Sequence, residues 1–121
     1  MAECPEVPSL PAAMCLTSDA SLAVGYNTGV LEFWRISDSR PWATAKAHTS
    51  RINVITAFPD GASIVTAGRD RQLVIWDVQS AERITRLSGH PRQIFDIDIS
   101  ADGKTIASCG LAGDLRFWHS N

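Results

Sequence analysis

The feature that most constrains this chain is a repeat. Trp34, Trp76 and Trp118 follow one another at intervals of 42 residues (76−34 and 118−76). His48 and His90 keep that interval, as do Asp60-Gly61 and Asp102-Gly103. The run Ser21–Gly25 recurs as Ser63–Ala67 and again as Thr105–Cys109. A constant period with matching residue types specifies one structural unit used several times over. Such a unit buries its apolar surface against its neighbours rather than alone.

The unit reads as strands. In the middle copy, Asp60-Gly61 marks a turn and Ser63–Ala67 is an apolar run of strand length. Gly68-Arg69-Asp70-Arg71 is a polar break, and Gln72–Trp76 is a second run rich in β-branched and aromatic residues. Neither run is long enough for a helix with a single apolar face. Ile52–Phe58 and Arg83–Leu87 bring this copy to four strands. In the first copy, Leu10, Ala13 and Cys15 are expected to correspond to Ile52, Ile55 and Ala57. Ser21–Gly25, Val30–Ile36 and Trp42–Ala47 then follow as strands. The third copy supplies Ile94–Ser100, Thr105–Cys109 and Asp114–His119, with no fourth strand. Residues 1–9 contain Pro5 and Pro8 and read as an extended arm, which aligns with that outer-strand position.

Gly89-His90 and Trp76-Asp77, at this period, resemble the WD-repeat signature. The likeness covers residues 9–120. It is strongest in the middle copy; the others carry Trp34-Arg35 and Trp118-His119 where Trp-Asp is expected. The resemblance implies an all-β fold of three four-stranded antiparallel blades, the third incomplete, forming an open propeller segment. The blades fall at about 10–48, 49–90 and 91–121, after the arm at 1–9.

His48, Thr66 and Asp70 are a histidine, a hydroxyl and a carboxylate, the makings of a catalytic triad. The resemblance implies a structural role instead. Trp76 would donate its indole N–H to Thr66, Thr66 its hydroxyl to His48, and His48 its ring N–H to Asp70, so that every buried donor has an acceptor. Copy three keeps His90, Ser108 and Trp118 but has Ala112 at the aspartate position. Its histidine has a terminal acceptor only if Asp114 or water substitutes. Copy one has Val24, Thr28 and Glu6 at the hydroxyl, aspartate and histidine positions. A full network is therefore expected only in copy two.

Charge narrows the function. Eleven basic against thirteen acidic residues give a net charge of −2, which exerts no general pull toward nucleic acid or an anionic membrane. No apolar run is long enough to span a bilayer, and the first residues lack the pattern of a signal peptide. Cys4, Cys15 and Cys109 form neither a disulfide framework nor a zinc spacing. The expectation is reduced thiols, a cytoplasmic or nuclear location, no metal and no cofactor. Asp96 and Asp98 lie two apart on one strand face. They can be read as a paired-carboxylate acid/base site, although satisfied blade residues fit the repeat better. Arg51, Arg69, Arg71, Arg83, Arg86 and Arg92 make the middle copy basic, but interleaved aromatics are lacking and the pattern suits a solvated face.

The resemblance implies a non-catalytic protein–protein interaction module or scaffold whose partners dock on the top face of the propeller. By position, that face takes Arg51, Asn53 and Arg69 from copy two and Gln93, Phe95 and Leu111 from copy three. Copy one contributes Ser9, Pro11 and Asn27. Propellers close with typically four to eight blades. Three blades therefore imply further blades from a parent chain or from other copies. Two alternatives stand beside this: a nucleic-acid-associated module using the basic middle blade, and a fragment or isoform with no independent function.

Overall fold

The computed structural model describes residues 9–17 and 20–119. The expected N-terminal arm, with Glu6 and Cys4, lies outside the described residues. Those described form strands, turns and loops, without a helix. The strands are β1 (Pro11–Leu16), β2 (Ser21–Tyr26), β3 (Val30–Arg35), β4 (Ala43–Lys46), β5 (Ile52–Ala57), β6 (Ser63–Gly68), β7 (Gln72–Asp77), β8 (Glu82–Ser88), β9 (Ile94–Ile99), β10 (Thr105–Gly110) and β11 (Leu115–His119). They build antiparallel sheets in the orders β1-β2-β3-β4, β5-β6-β7-β8 and β11-β10-β9. These are three blades of four, four and three strands, arranged as an open propeller segment. The innermost strands, β1, β5 and β9, lie side by side across the blades.

Both faces of the middle blade are apolar because both are covered. Ile52, Ile55, Ile64, Val74 and Trp76 face blade one and pack with its Ala23, Leu31 and Phe33. Val65, Ala67 and Leu73 face blade three and pack with Ile94, Ile97 and Ile106. In β6 and β7 the inward alternation of a one-sided sheet is thereby replaced by nearly continuous apolar runs. Each of these buried aliphatic side chains contributes about 1.5–3 kcal/mol relative to exposure.

The two seams are filled differently. Phe33 stands 5.9 Å from Trp42 and 6.1 Å from Trp76, ring centre to ring centre, and closes the seam between blades one and two. Arg35 covers the outside of Trp42, 4.9 Å above its ring. One repeat later, Ile75 replaces Phe33 and the exposed Ile84 replaces Trp42. The smaller side chains leave an apolar groove of about 400 Å³ between Thr85, Leu87 and Trp118.

The structure corrects the expected alignment of the first strand. Ala13 lies opposite Gly25, and Cys15 opposite Ala23. Their counterparts opposite Ala67 and Val65 are Val54 and Thr56, not Ile55 and Ala57. Four residues (17–20) join β1 to β2, whereas five (58–62) join β5 to β6, so β1 is shifted by one. A one-residue slip sends every side chain to the other face. Ala13 and Cys15 accordingly pack toward blade two, where burial pushes the Cys15 thiol pKa up against a smaller opposing pull from the Ala57 amide. Met14 and Leu16 take the outward places and are 63% and 64% exposed.

Gly25 permits the close approach of blades one and two. A Cβ there would stand 2.7 Å from Cγ2 of the fully buried Ile52. Gly25→Ala is expected to destabilise the protein by about 1–3 kcal/mol through overpacking. Urea unfolding of the two proteins measures it, and an unchanged midpoint would mean that the seam is loosely packed.

Candidate functional site

The middle blade holds a continuous hydrogen-bonded chain. Trp76 Nε1 donates to Thr66 Oγ1 at 3.0 Å, and Thr66 Oγ1 lies 2.8 Å from His48 Nε2. His48 Nδ1 stands 2.9 Å from both carboxylate oxygens of Asp70. A carboxylate only accepts, so Nδ1 carries the proton and Nε2 takes the hydroxyl proton of Thr66. The amides of Thr49 and Gln72 also donate to Asp70, at 3.2 and 3.3 Å. Burial pushes the Asp70 carboxyl pKa up. The His48 hydrogen bond, the His48 charge and the two amides together outweigh that and hold it below the usual carboxylate value.

Blade three corrects the expectation that only copy two completes such a chain. Trp118 Nε1 donates to Ser108 Oγ at 3.0 Å, and Ser108 Oγ lies 2.6 Å from His90 Nε2. His90 Nδ1 reaches Asp114 Oδ2 at 2.5 Å. Asp114 stands at the repeat position of Gln72, two residues beyond Ala112, yet serves the same imidazole nitrogen. The substitution is less complete than the original. Asp114 Oδ1 is buried with no hydrogen-bond partner among the described residues. Burial pushes the Asp114 pKa up, while His90, its own backbone amide and Arg116 oppose and outweigh that, for a net decrease.

Blade one uses a different solution that the sequence reading missed. Glu32 Oε1 accepts the indole N–H of Trp34 at 3.0 Å and the hydroxyl of Tyr26 at 2.6 Å. The carboxylate thus takes the acceptor place that a hydroxyl holds in the other blades. The bond to Glu32, then burial and the Glu32 charge, push the Tyr26 pKa up to about 12. Glu32 stands where Val74 and Arg116 stand in the later copies. Its alternation with Trp34 on one strand face was the available clue.

The imidazoles and hydroxyls of these chains lie inside the blades. His48 and Thr66 are buried, and so are His90 and Ser108. Asp96 and Asp98 do share a strand face, but each has one oxygen tied to the amide of the next residue, at 2.9 and 3.0 Å. No cluster of metal-ligating side chains occurs among the described residues.

At the end of the blades, five of the nine positions assigned to the top face, all from copies two and three, come together. Arg51, Asn53, Arg69, Gln93 and Phe95 line one concavity of about 290 Å³. The Asn53 amide spans two blades, donating to Gln93 Oε1 at 3.0 Å and to the Ile94 carbonyl at 2.8 Å. The Arg69 amide donates to the Arg51 carbonyl at 3.0 Å, which holds the two arginine-bearing segments together. Phe95 is exposed, although β9 could have buried it, because the strand is irregular next to Ile94. Leu111 is also exposed but does not line the concavity.

Asp70→Ala is expected to cost about 1–3 kcal/mol by stranding the buried His48 donor. Asp114→Ala is expected to cost less, since that carboxylate is itself incompletely satisfied. Thermal melts rank the two, and an Asp70→Ala melt identical to the parent would exclude the network role. The lowered Asp70 pKa gives a sign for acid. Its stabilisation is fully present above the unfolded value of about 3.9 and is lost as pH falls through the lower folded value. Asp70→Asn should therefore flatten the fall in stability below about pH 4. Tyr26 is the single tyrosine, so its phenolate absorbance can be titrated directly. Glu32→Ala should return it from about 12 toward the ordinary value of about 10.

Comparison with known proteins fits this architecture. The family model "WD domain, G-beta repeat" matches residues 39–77 and 81–119. Over 84 residues the chain is 32% identical to "Small ribosomal subunit protein RACK1" of Medicago sativa, covering 64% of this chain and 26% of that protein. It is 28% identical over 105 residues to "Ribosome biogenesis protein WDR12 homolog" of Chlamydomonas reinhardtii, covering 78% of this chain and 23% of the relative. "Protein FIZZY-RELATED 2" of Arabidopsis thaliana is 28% identical over 102 residues, covering 83% and 20% respectively. The chain spans about a quarter of the length of these relatives. With two matched repeats over more than half its length, and three antiparallel blades, the chain belongs to the WD-repeat family.

Proposed function

We propose that this chain is a non-catalytic protein-interaction module whose docking site is the concavity formed by Arg51, Asn53, Arg69, Gln93 and Phe95. The single observation that carries this reading is the convergence of those five side chains, from two blades, on one exposed hollow. An exposed aromatic beside two arginines has the composition of an interface hot spot. Neither Arg51 nor Arg69 has an acidic partner among the described ion pairs, so both guanidinium groups are available to a carboxylate-bearing segment. The Asn53 bond to Gln93 pre-forms the floor of the hollow, which lowers the ordering cost of binding. Protein partners suit this site better than nucleic acid, because the surrounding chain is net negative. A cytoplasmic or nuclear setting accords with the expected reduced thiols and with relatives whose names refer to the ribosome and its biogenesis. Further blades, from a longer chain or from another molecule, would complete the ring.

Phe95→Ala and Arg69→Glu should each weaken capture of the bound protein in affinity purification by roughly tenfold, as expected for hot-spot truncations above 1 kcal/mol. Neither should lower the melting temperature. If both lose stability and binding together, the two residues are packing elements and the docking site lies elsewhere.

A further inference from the structure

The two seams are built on the same strands one repeat apart, yet only the first is filled. There three aromatic rings run in series, Trp42 to Phe33 at 5.9 Å and Phe33 to Trp76 at 6.1 Å. Trp76 beneath them is buried. In the second seam Trp118 is the counterpart of Trp76. It is half-buried and has no ring contact among the described residues. The apolar groove of about 400 Å³ opens beside it.

Three changes in the repeat make this groove. Ile75 stands where Phe33 stands, a smaller side chain without a ring. Ile84 stands where Trp42 stands, but the pairing of β7 with β8 is irregular between Ile75 and Trp76, and Ile84 is 57% exposed. The pairing of β3 with β4 has no such irregularity. Bulges of this kind re-aim a side chain and recur beside binding sites. The third change adds a charge. Lys104 lines the groove, where the first seam has Ala62. It forms no ion pair among the described residues.

The first seam shows the shape of what fits here: a flat ring set edge to face beside the blade tryptophan. Lys104 shows what that ring must carry, a negative charge at one end. The groove has the size of a small-ligand pocket and its composition, apolar walls with a few polar groups. A tryptophan side chain from another protein would supply the ring but leave Lys104 unpaired.

We infer that the groove between blades two and three binds a free small molecule, a planar aromatic monocarboxylate. Its ring lies among Ile75, Leu87 and Trp118, and its carboxylate accepts from Nζ of Lys104. The site shares no residue with the arginine-lined concavity and is independent of it.

The test titrates indole-3-propionate into the whole isotopically labelled chain and follows it by NMR. The four tryptophans give four indole N–H signals. That of Trp118 should shift together with the amides of Leu87 and Ile106, while those of Trp34 and Trp42 stay in place. Indole lacks the carboxylate, and N-acetyltryptophan amide mimics a tryptophan within a chain. Each should bind about three- to tenfold more weakly, the worth of one charge contact at a groove rim. Lys104→Gln should erase that preference, and raised salt should narrow it. Ile75→Phe installs the first-seam residue and should abolish binding of all three compounds. Lys104 is exposed and Ile75 borders open space, so melts matching the parent certify folding. The inference is overturned if no groove signal moves up to the solubility limit of indole-3-propionate, or if a folded Ile75→Phe protein binds it as the parent does. It is equally overturned if either neutral compound binds as tightly, or if Lys104→Gln retains the preference.

Discussion

A four-stranded blade has two apolar faces and no means of covering either by itself. That constraint governs the rest of this molecule. The middle blade satisfies it on both sides, and its β6 and β7 are accordingly apolar along nearly their whole length. Among the described residues, the flanking blades satisfy it on one side each. Their outward faces carry the exceptions to the repeat: Met14 and Leu16 exposed beside the Glu32 carboxylate in blade one, Asp96 and Asp98 in blade three. The core is therefore a pair of seams, and each residue's role follows from the seam it faces.

Polar groups inside the blades follow a related rule. A tryptophan buried in a sheet needs an acceptor for its indole N–H. Each blade provides one within its own strands, but with different atoms: the hydroxyls of Thr66 and Ser108, and the carboxylate of Glu32. Where the acceptor is a hydroxyl, a histidine and an aspartate extend the chain outward to the loops. Where it is a carboxylate, the charge lies on the strand itself and a tyrosine shares it. The same geometric need is met by three residue types because what is selected is the satisfied donor. The same need accounts for a histidine, a hydroxyl and an aspartate within hydrogen-bond reach of one another. The Thr66 hydroxyl is fully buried and accepts the indole N–H of Trp76.

Surface chemistry divides along the same lines. The blade ends, where loops meet, gather Arg51, Arg69 and Phe95 around one hollow. The flat outer face of blade three offers the opposite sign, with apolar surface beside two aspartates. The two surfaces differ in shape, charge and position. A net charge of −2 conceals this separation of a basic end from an acidic face.

The sequence by itself determined the architecture. A 42-residue period, alternating apolar runs and turn residues marked out three copies of one stranded unit, because these depend on local pattern and repetition, and the hydrogen-bonding chain of the middle blade followed from the resemblance to the WD-repeat signature. The resemblance also placed Arg51, Asn53, Arg69, Gln93 and Phe95 together, and these five line one hollow. Three things were decided only by tertiary structure. The first strand of copy one runs one residue out of step, because its turn is shorter and the register is set by pairing with β2 rather than by the count along the chain. Asp114 replaces the expected aspartate, because the imidazole of His90 requires an acceptor within reach and is indifferent to where along the turn it originates. Glu32 takes the place of a hydroxyl, because its carboxylate lies within hydrogen-bond reach of both the Trp34 indole and the Tyr26 hydroxyl. In each case sequence spacing specified the position along the chain, and distance in space chose the partner.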